Sequence, residues 1–227
     1  MKQKFTILFD LDGTLVDTAP DLMLAHNHVM KKFGYPTKST EDIRNLVGKG
    51  AGALIGRSIW GQAKKEFSKV LDEKIKDEMV KEFVNFYGKN IVNESTLVTG
   101  VKKFLVWCKE QNISMAVCTN KQEHLSNDLL KKIGIYDFFE YVAGSDTFDY
   151  CKPDPRHLTN VAEILDGDVK KTIMIGDSET DANAAKAAEI PVILLENGYT
   201  EKNTTEIYHN HLIKDFIGIE KIIIKYL

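Results

Sequence analysis

Two aspartates near the start of the chain, Asp10 and Asp12, stand two positions apart directly after an apolar run at 5–9. Side chains two residues apart on an extended chain project to the same side, so both carboxylates can face one point. The apolar run is typical of a buried strand, where uncompensated carboxylates are costly and a bound cation removes that cost. The pair therefore indicates a paired-acid site, although Asp and Gly also open ordinary loops.

Three further blocks of polar residues follow later in the chain. Thr119 and Asn120 carry a hydroxyl and an amide that can donate hydrogen bonds to an anion. Lys152, next to a proline, can pair with an acid and with a phosphate. Asp177 and Asp181 stand four positions apart where an apolar run meets a helical pattern, so their carboxylates can face one point. Each block also fits a plain structural element: a strand-ending turn, a helix start, or acids at a helix N-terminus.

The elements that position these blocks alternate along the chain. The predicted strands lie at 5–9, 113–118, 141–143, 172–175 and 192–195, and the predicted helices near 101–110, 124–133, 155–165 and 180–189. This alternation predicts an α/β fold, a Rossmann-like, doubly wound parallel sheet with helices on both faces. Ligands bind such sheets at the carboxyl ends of the strands, where the four blocks lie. Their oxygen donors point to Mg²⁺ rather than to zinc.

Residues 17–93 form a different kind of segment, without a strand pattern. Apolar residues recur there near helical spacing, at Phe67, Val70, Leu71, Ile75, Met79, Val80 and Phe83. We therefore predict an all-helical domain at 17–93, inserted into a core built from 1–16 and 94–227. The insert has a net charge of +3 and the remainder −6, a small asymmetry that suits an anionic substrate.

Bulk composition excludes several classes of protein. The net charge of −3 gives no electrostatic basis for binding nucleic acid. The three cysteines lack the C-x-x-C spacing of zinc sites, and their odd number argues against a disulfide framework. No apolar run approaches the length of a membrane span, and the run at 5–9 is shorter than the apolar part of a signal peptide. We expect a cytoplasmic monomer or homodimer.

The four blocks together resemble a known family. Asp10-x-Asp12-x-Thr14, Thr119, Lys152 and Gly176-Asp177-x-x-x-Asp181 resemble, in order and spacing, the four motifs of the haloacid dehalogenase superfamily. The resemblance covers the whole chain, and the insert at 17–93 resembles the helical C1 cap of that superfamily. It implies a Mg²⁺-dependent phosphatase that acts on a small phosphorylated metabolite. The acid at Asp12 separates the phosphatases from the true dehalogenases, which lack it.

The resemblance also implies a metal site. Mg²⁺ would be held by the side chains of Asp10 and Asp177 and by the backbone carbonyl of Asp12. Asp181 would support the water shell of the metal or the side chain of Lys152.

The implied reaction passes through a phosphorylated aspartate. Asp10 would be the nucleophile, and Asp12 would protonate the leaving oxygen and then activate water. The phosphoryl oxygens would be bound by Thr119, Asn120 and Lys152.

A glycine-rich stretch within the insert carries a further resemblance. The sequence VGKGAGALI, which contains Gly48, Lys49 and Gly50, resembles the V-G-x-G-A-x-x-L-[IL] signature of phosphoglycolate phosphatases. Arg44, Lys49 and Arg57 are candidates to bind the carboxylate of such a substrate. A lysine at the Lys49 position departs from the uncharged residue often found there. The stretch also fits a simple helix–glycine turn–helix packing element.

Several alternatives remain at this point. A related phosphatase acting on pyrophosphate or on a nucleotide is the nearest rival. A sugar-phosphate mutase would need a different cap loop, and a phosphonate hydrolase would need a cap lysine as a Schiff base, for which Lys49 is the one candidate. A non-enzymatic domain that accepts a phosphate on aspartate belongs to a different class, and Asp12 as a hydrolytic base argues against it.

Overall fold

A computed structural model of the chain describes residues 4–66 and 73–227. Of the predicted apolar helix positions, Phe67, Val70 and Leu71 lie outside the described residues. The strands are β1 (Thr6–Phe9), β2 (Val16–Asp17), β3 (Thr96–Leu97), β4 (Ser114–Cys118), β5 (Tyr141–Ala143), β6 (Thr172–Gly176), β7 (Val192–Leu195) and β8 (His211–Ile213). The helices are α1 (Ala19–Phe33), α2 (Thr40–Arg44), α3 (Ala51–Glu66), α4 (Glu73–Lys89), α5 (Val101–Glu110), α6 (Glu123–Lys132), α7 (Arg156–Ile164), α8 (Glu179–Ala187) and α9 (Glu220–Ile223).

A six-stranded sheet forms the core, in the order β5-β4-β1-β6-β7-β8. All of its neighbouring strands run parallel. The chain builds outward from β1 on one side and then returns to the other, so the predicted doubly wound α/β sheet is confirmed. Strands β1, β4 and β6 are buried at every position, which is why their sequences are nearly continuous apolar runs.

Four helices, α1 to α4, follow one another between β2 and β3, in the segment for which we predict a helical insert. Helix α1 packs against α4, and the apolar residues Val29, Met30, Met79, Phe83 and Tyr87 are buried. The two connections to the core pair as a short antiparallel ribbon, in which Val16 lies opposite Leu97. The exact division at 1–16, 17–93 and 94–227 stays a prediction.

The predicted strands and helices agree with the structure to within two residues at each end. The structure adds β8 at one edge of the sheet and the ribbon of β2 and β3. These strands have two or three residues each, too few to show an alternating pattern. Among residues 4–66 and 73–227 we find no helix with the length and apolar character that crossing a membrane requires.

Candidate active site

The residues predicted to do chemistry follow the carboxyl ends of adjacent strands. Asp10 follows β1 and donates its backbone N–H to the carbonyl of Ile175 in β6, at 2.9 Å. Thr119 follows β4 and donates its backbone N–H to the carbonyl of Ala143 in β5, also at 2.9 Å. Asp177 follows β6. The point where the strand order reverses therefore brings the separate blocks to one edge of the sheet.

Three buried carboxylates and one buried ammonium form the centre of this edge. Asp10, Asp177 and Asp181 each offer an oxygen, and these oxygens lie within 4.8 Å of one another. The Nζ atom of Lys152 lies 2.8 Å from Oδ1 of Asp10 and 2.6 Å from Oδ1 of Asp181. One ammonium cannot balance three carboxylates, so the cluster carries an excess of negative charge.

The pKa values in the cluster reflect burial first and the neighbouring carboxylates second. Burial raises the pKa of Asp10 to about 6, and the opposing charge of Lys152 limits the rise. Burial also raises the pKa of Asp177 well above its usual value, with further contributions from Asp10 and Asp181. Burial alone would lower the pKa of Lys152, but Asp10 and Asp181 outweigh burial and raise it. A divalent cation at this point would supply the missing positive charge.

Asp181 is fixed by the start of helix α8. Its Oδ2 accepts hydrogen bonds from the backbone N–H groups of Asp177 and Ser178 and from the hydroxyl of Ser178, at 3.2, 3.1 and 2.7 Å. Since Oδ1 accepts from Lys152, both oxygens of Asp181 already have partners. Asp181 therefore orients Lys152 and the loop after β6.

Asp10 and Asp177 each have one carboxylate oxygen that could bind a metal ion. Asp10 uses Oδ1 for Lys152, and Asp177 uses Oδ2 for the backbone N–H of Tyr199, at 2.6 Å. The other carboxylate oxygen of each residue accepts no hydrogen bond from the described part of the chain. Two buried carboxylate oxygens with a deficit of positive charge fit a hard divalent cation.

Gly13 makes the close approach of the two loops possible. It adopts φ = +83°, and a Cβ atom built there would lie 2.1 Å from Oδ2 of Asp177. No other residue type fits this position while Asp177 keeps its place. The sequence block Asp10 to Thr14 therefore needs glycine for both its backbone conformation and its lack of a side chain.

Asp12 does not join the carboxylate cluster but faces Lys121. The Nζ atom of Lys121 lies 2.5 Å from Oδ1 and 2.6 Å from Oδ2 of Asp12, and Thr18 donates its hydroxyl to Oδ1 at 2.6 Å. The ammonium also lies 4.7 Å from the ring centre of Tyr87 in α4. Sequence reasoning missed Lys121, although its place directly after Thr119 and Asn120 at a strand end was a usable signal.

Asn120 connects the core to the helical insert. Its Nδ2 donates to the carbonyl of Lys152 at 2.9 Å and to the carbonyl of Gly48 at 3.1 Å. Thr119 accepts the backbone N–H of Lys121 on Oγ1 at 3.2 Å. The donors of Asn120 are thus engaged by backbone carbonyls, whereas the prediction had assigned them to phosphoryl oxygens.

A cavity of about 250 Å³ lies between the sheet edge and the insert. Its polar wall includes Asp10, Asp12, Thr119, Asn120 and Lys121, and its apolar wall includes Leu22, Leu54, Val80, Phe83, Tyr87 and Leu125. The predicted catalytic pair and the insert therefore face the same cavity.

The structure brings some of the predicted cap residues to this cavity and not others. Gly48, Lys49 and Gly50 line it. Arg44 instead pairs with Asp17, with Nη2 2.7 Å from Oδ2, and it does not line the cavity. Arg57, the other candidate, donates to the carbonyls of Asn45 and Leu46 and pairs with Glu201.

Comparisons with known proteins agree with this geometry. The family described as haloacid dehalogenase-like hydrolase matches residues 7–195. A phosphoglycolate phosphatase from Mesorhizobium japonicum is 37% identical over 210 residues, which are 92% of this chain and 90% of that protein. One from Caulobacter vibrioides is also 37% identical, over 98% of this chain and 92% of that protein.

A solved structure has the same fold. The crystal structure of a predicted phosphoglycolate phosphatase from Haemophilus somnus superposes with a TM-score of 0.90 at 31% sequence identity. The match covers 98% of this chain and 99% of that one, so the likeness extends over both the sheet and the insert.

Proposed function

This chain belongs to the haloacid dehalogenase-like hydrolases, and we propose from that premise that it is a Mg²⁺-dependent phosphatase that hydrolyses 2-phosphoglycolate to glycolate and phosphate. It is a phosphatase by its family and relatives. The observation that carries the proposed mechanism is that Asp10 and Asp12 line the same cavity. A small phosphorylated metabolite in the cytoplasm is the partner that this proposal implies.

The metal site in this proposal uses three residues. The side chains of Asp10 and Asp177 and the backbone carbonyl of Asp12 would hold Mg²⁺, and Asp181 would support it through Lys152. When bound, the ion would neutralise charge on the phosphoryl oxygens. The excess of buried carboxylates over ammonium groups supports this assignment.

In the first step, a carboxylate oxygen of Asp10 attacks the phosphorus atom. The new bond between this oxygen and phosphorus forms as the bond between phosphorus and the ester oxygen breaks. Asp12 gives a proton to the departing ester oxygen, which leaves as the hydroxyl of glycolate. Asp10 then carries the phosphoryl group, and Asp12 is ionised.

In the second step, Asp12 takes a proton from water as the water oxygen attacks phosphorus. The bond between phosphorus and Asp10 breaks, phosphate leaves, and both carboxyl groups regain their starting protonation states. Lys152 and the hydroxyl of Thr119 would hold the phosphoryl oxygens during both steps. Asn120, predicted to share this task, is better suited to hold the Lys152 backbone and the cap loop in place.

The helical insert supports the proposed substrate. The loop at Gly48, Lys49 and Gly50 lines the cavity and lies on the segment that resembles phosphoglycolate phosphatases. Relatives of that name share 37% identity with this chain over nearly their full length. Arg44, the fourth predicted specificity residue, would act indirectly, by fixing the connection at Asp17.

The test is steady-state kcat/KM on 2-phosphoglycolate, with and without Mg²⁺, beside other phosphomonoesters, a nucleotide and pyrophosphate. We expect a preference of about a hundredfold for 2-phosphoglycolate, equal to about 2.7 kcal/mol of transition-state stabilisation. Equal, weak activity on all substrates would reject the substrate and keep the reaction. A stable phosphorylated Asp10 without turnover would favour the phosphate-accepting domain instead.

A further inference from the structure

Lys121 is a second buried lysine at the site, and it forms an ion pair with Asp12. Its side chain is 5% exposed, and its Nζ lies within 2.6 Å of both oxygens of Asp12. Lys152, by contrast, is committed to Asp10 and Asp181. The mechanism above needs Lys152 at the phosphoryl group but gives Lys121 no task.

The place of Lys121 follows from the place of Asp12. If Asp12 protonates the ester oxygen, the carbon group attached to that oxygen must lie beside Asp12. Lys121 contacts Asp12 and lines the same cavity, so it stands next to the part of the substrate that leaves. Apolar residues, among them Leu54, Phe83 and Leu125, also line this cavity.

Lys49 is the other lysine that lines the described cavity, and the two differ in their surroundings. Lys49 is exposed on the cap loop, whereas Lys121 is buried between Asp12 and the ring of Tyr87. A buried charge interacts more strongly with an incoming charge than a solvated one does. The aromatic face also holds the ammonium in place before substrate arrives.

We propose that Lys121 binds the carboxylate of the leaving group and thereby selects for phosphomonoesters that carry one. The inference rests on the proposed function, because it takes Asp12 as the acid that protonates the ester oxygen. An ammonium has three donors, so Lys121 can turn one or more of them from Asp12 to a substrate carboxylate.

The contact with Asp12 shows which acceptors a substrate would replace. In the structure, both oxygens of Asp12 accept from Lys121. A substrate carboxylate supplies replacement acceptors, whereas a neutral substituent supplies weaker ones. Lys121 would therefore act on substrate binding, through the carboxylate.

The test compares two esters of equal length, 2-phosphoglycolate and 2-hydroxyethyl phosphate, which differ in one terminal carboxylate. The measured quantity is the ratio of their kcat/KM values. Any effect that passes through Asp12 alone changes both esters alike and leaves the ratio unchanged. We expect Lys121→Met and Lys121→Gln to lower the ratio at least thirtyfold, and Lys121→Arg to keep it within about fivefold.

Two further variants make the comparison specific. Lys49→Met removes the competing cavity lysine, and we expect it to change the ratio less than threefold. Lys102→Met changes an exposed lysine on α5, away from the cavity, and should leave both esters at wild-type rates. If Lys49→Met abolishes the preference for 2-phosphoglycolate while Lys121→Met retains it, the assignment to Lys121 is overturned.

A binding measurement complements the kinetics. We would titrate each ester into Asp10→Asn and into the double variant Asp10→Asn/Lys121→Met by calorimetry. The double variant should bind 2-phosphoglycolate at least tenfold more weakly and 2-hydroxyethyl phosphate nearly unchanged. A wild-type enzyme without preference for the carboxylate would reject the proposed substrate together with this subsite. A wild-type preference that survives in Lys121→Met and Lys121→Gln rejects the subsite alone.

Discussion

The Nζ atom of Lys152 lies 2.6 Å from Oδ1 of Asp181, and both side chains are almost fully buried. The same ammonium lies 2.8 Å from Oδ1 of Asp10. Asp181 is held in turn by backbone N–H groups at the start of α8, so the helix fixes the lysine, and the lysine fixes the predicted nucleophile. Charge balance and geometry at Asp10 therefore depend on a residue in another loop.

Lys152→Met should damage both activity and stability. The substitution leaves Asp10 and Asp181 buried without their shared counter-charge, and breaking a buried ion pair in this way costs about 3 kcal/mol. We expect kcat to fall by ~10²–10³-fold, as for the loss of one preorganised donor to a developing charge. Urea unfolding and steady-state kinetics measure the two effects, with Lys102→Met as the matched surface control. Wild-type kcat in a folded Lys152→Met protein would contradict the role of Lys152.

Asp12→Asn should separate catalysis from metal binding. Asp12 would hold the metal through its backbone carbonyl, which the substitution keeps, while the carboxyl group that transfers protons is lost. Turnover should fall by ~10²–10⁴-fold, and the Mg²⁺ affinity measured by calorimetry should stay within threefold of wild type. Asp10→Asn serves as the comparison, because it removes a metal-binding carboxylate. Equal losses of Mg²⁺ affinity in the two variants would contradict the assignment.

Two glycines with similar backbone conformations provide a matched test of the loop approach. Gly13 has φ = +83° and a Cβ atom there would clash with Asp177, whereas Gly34 has φ = +77° with nothing within 4 Å of its Cβ position. Gly34→Ala should cost about 1–2 kcal/mol of stability from backbone strain and keep full activity. Gly13→Ala should add the clash and lower kcat/KM at least a hundredfold. Equal activities for the two variants would show that the approach to Asp177 is unimportant.

The sequence predicted β1, β4, β6 and β7 because each contains an apolar run of several residues. It also predicted β5, which is as short as β8 but consists only of apolar and aromatic residues. β1 and β6 are buried on both faces, and the polar residues that follow them mark the site. The ribbon of β2 and β3 and the edge strand β8 were missed because each is short and contains a polar residue, so that tertiary pairing rather than local pattern makes them strands.

The site was predictable where strand ends position the residues and unpredictable where loops meet. Asp10 and Asp177 follow neighbouring strands, so their convergence follows from topology. The contact between Lys121 and Asp12 joins residues far apart in the chain and depends on the bend of both loops. Arg44 has the charge to bind a substrate carboxylate and lies in the predicted cap, but it forms an ion pair with Asp17 and does not line the cavity.

Asp21 should be a stabilising residue at the connection between the insert and the core. Its buried carboxylate accepts the backbone N–H groups of Asn93, Glu94 and Ser95, at 3.0, 3.1 and 2.9 Å, and the hydroxyl of Ser95 at 2.6 Å. Asp21→Asn replaces an acceptor oxygen with an N–H group that faces these donors. We expect a loss of about 2–3 kcal/mol in urea unfolding. Asp128→Asn, on the exposed face of α6, should change stability by less than about 0.5 kcal/mol.

His157 should make stability depend on pH. Burial lowers its pKa from 6.5 to about 4, with a further contribution from the charge of Lys152. As the pH falls, His157 therefore binds a proton near pH 6.5 in the unfolded chain but only near pH 4 in the folded protein. The stabilisation is complete above pH 6.5 and is lost as the pH falls towards about 4, by up to about 3 kcal/mol.

The measurement is the free energy of unfolding in urea at several pH values between 7 and 5, for wild type and His157→Gln. The raised pKa values of Asp10 and Asp177 act with the opposite sign, because the folded protein takes up protons there more readily. Wild type and His157→Gln share that contribution, so the difference between their slopes of unfolding free energy against pH isolates His157. We expect wild type to lose about 2 kcal/mol more than His157→Gln over this range. Parallel slopes would show that His157 is not held neutral by its burial.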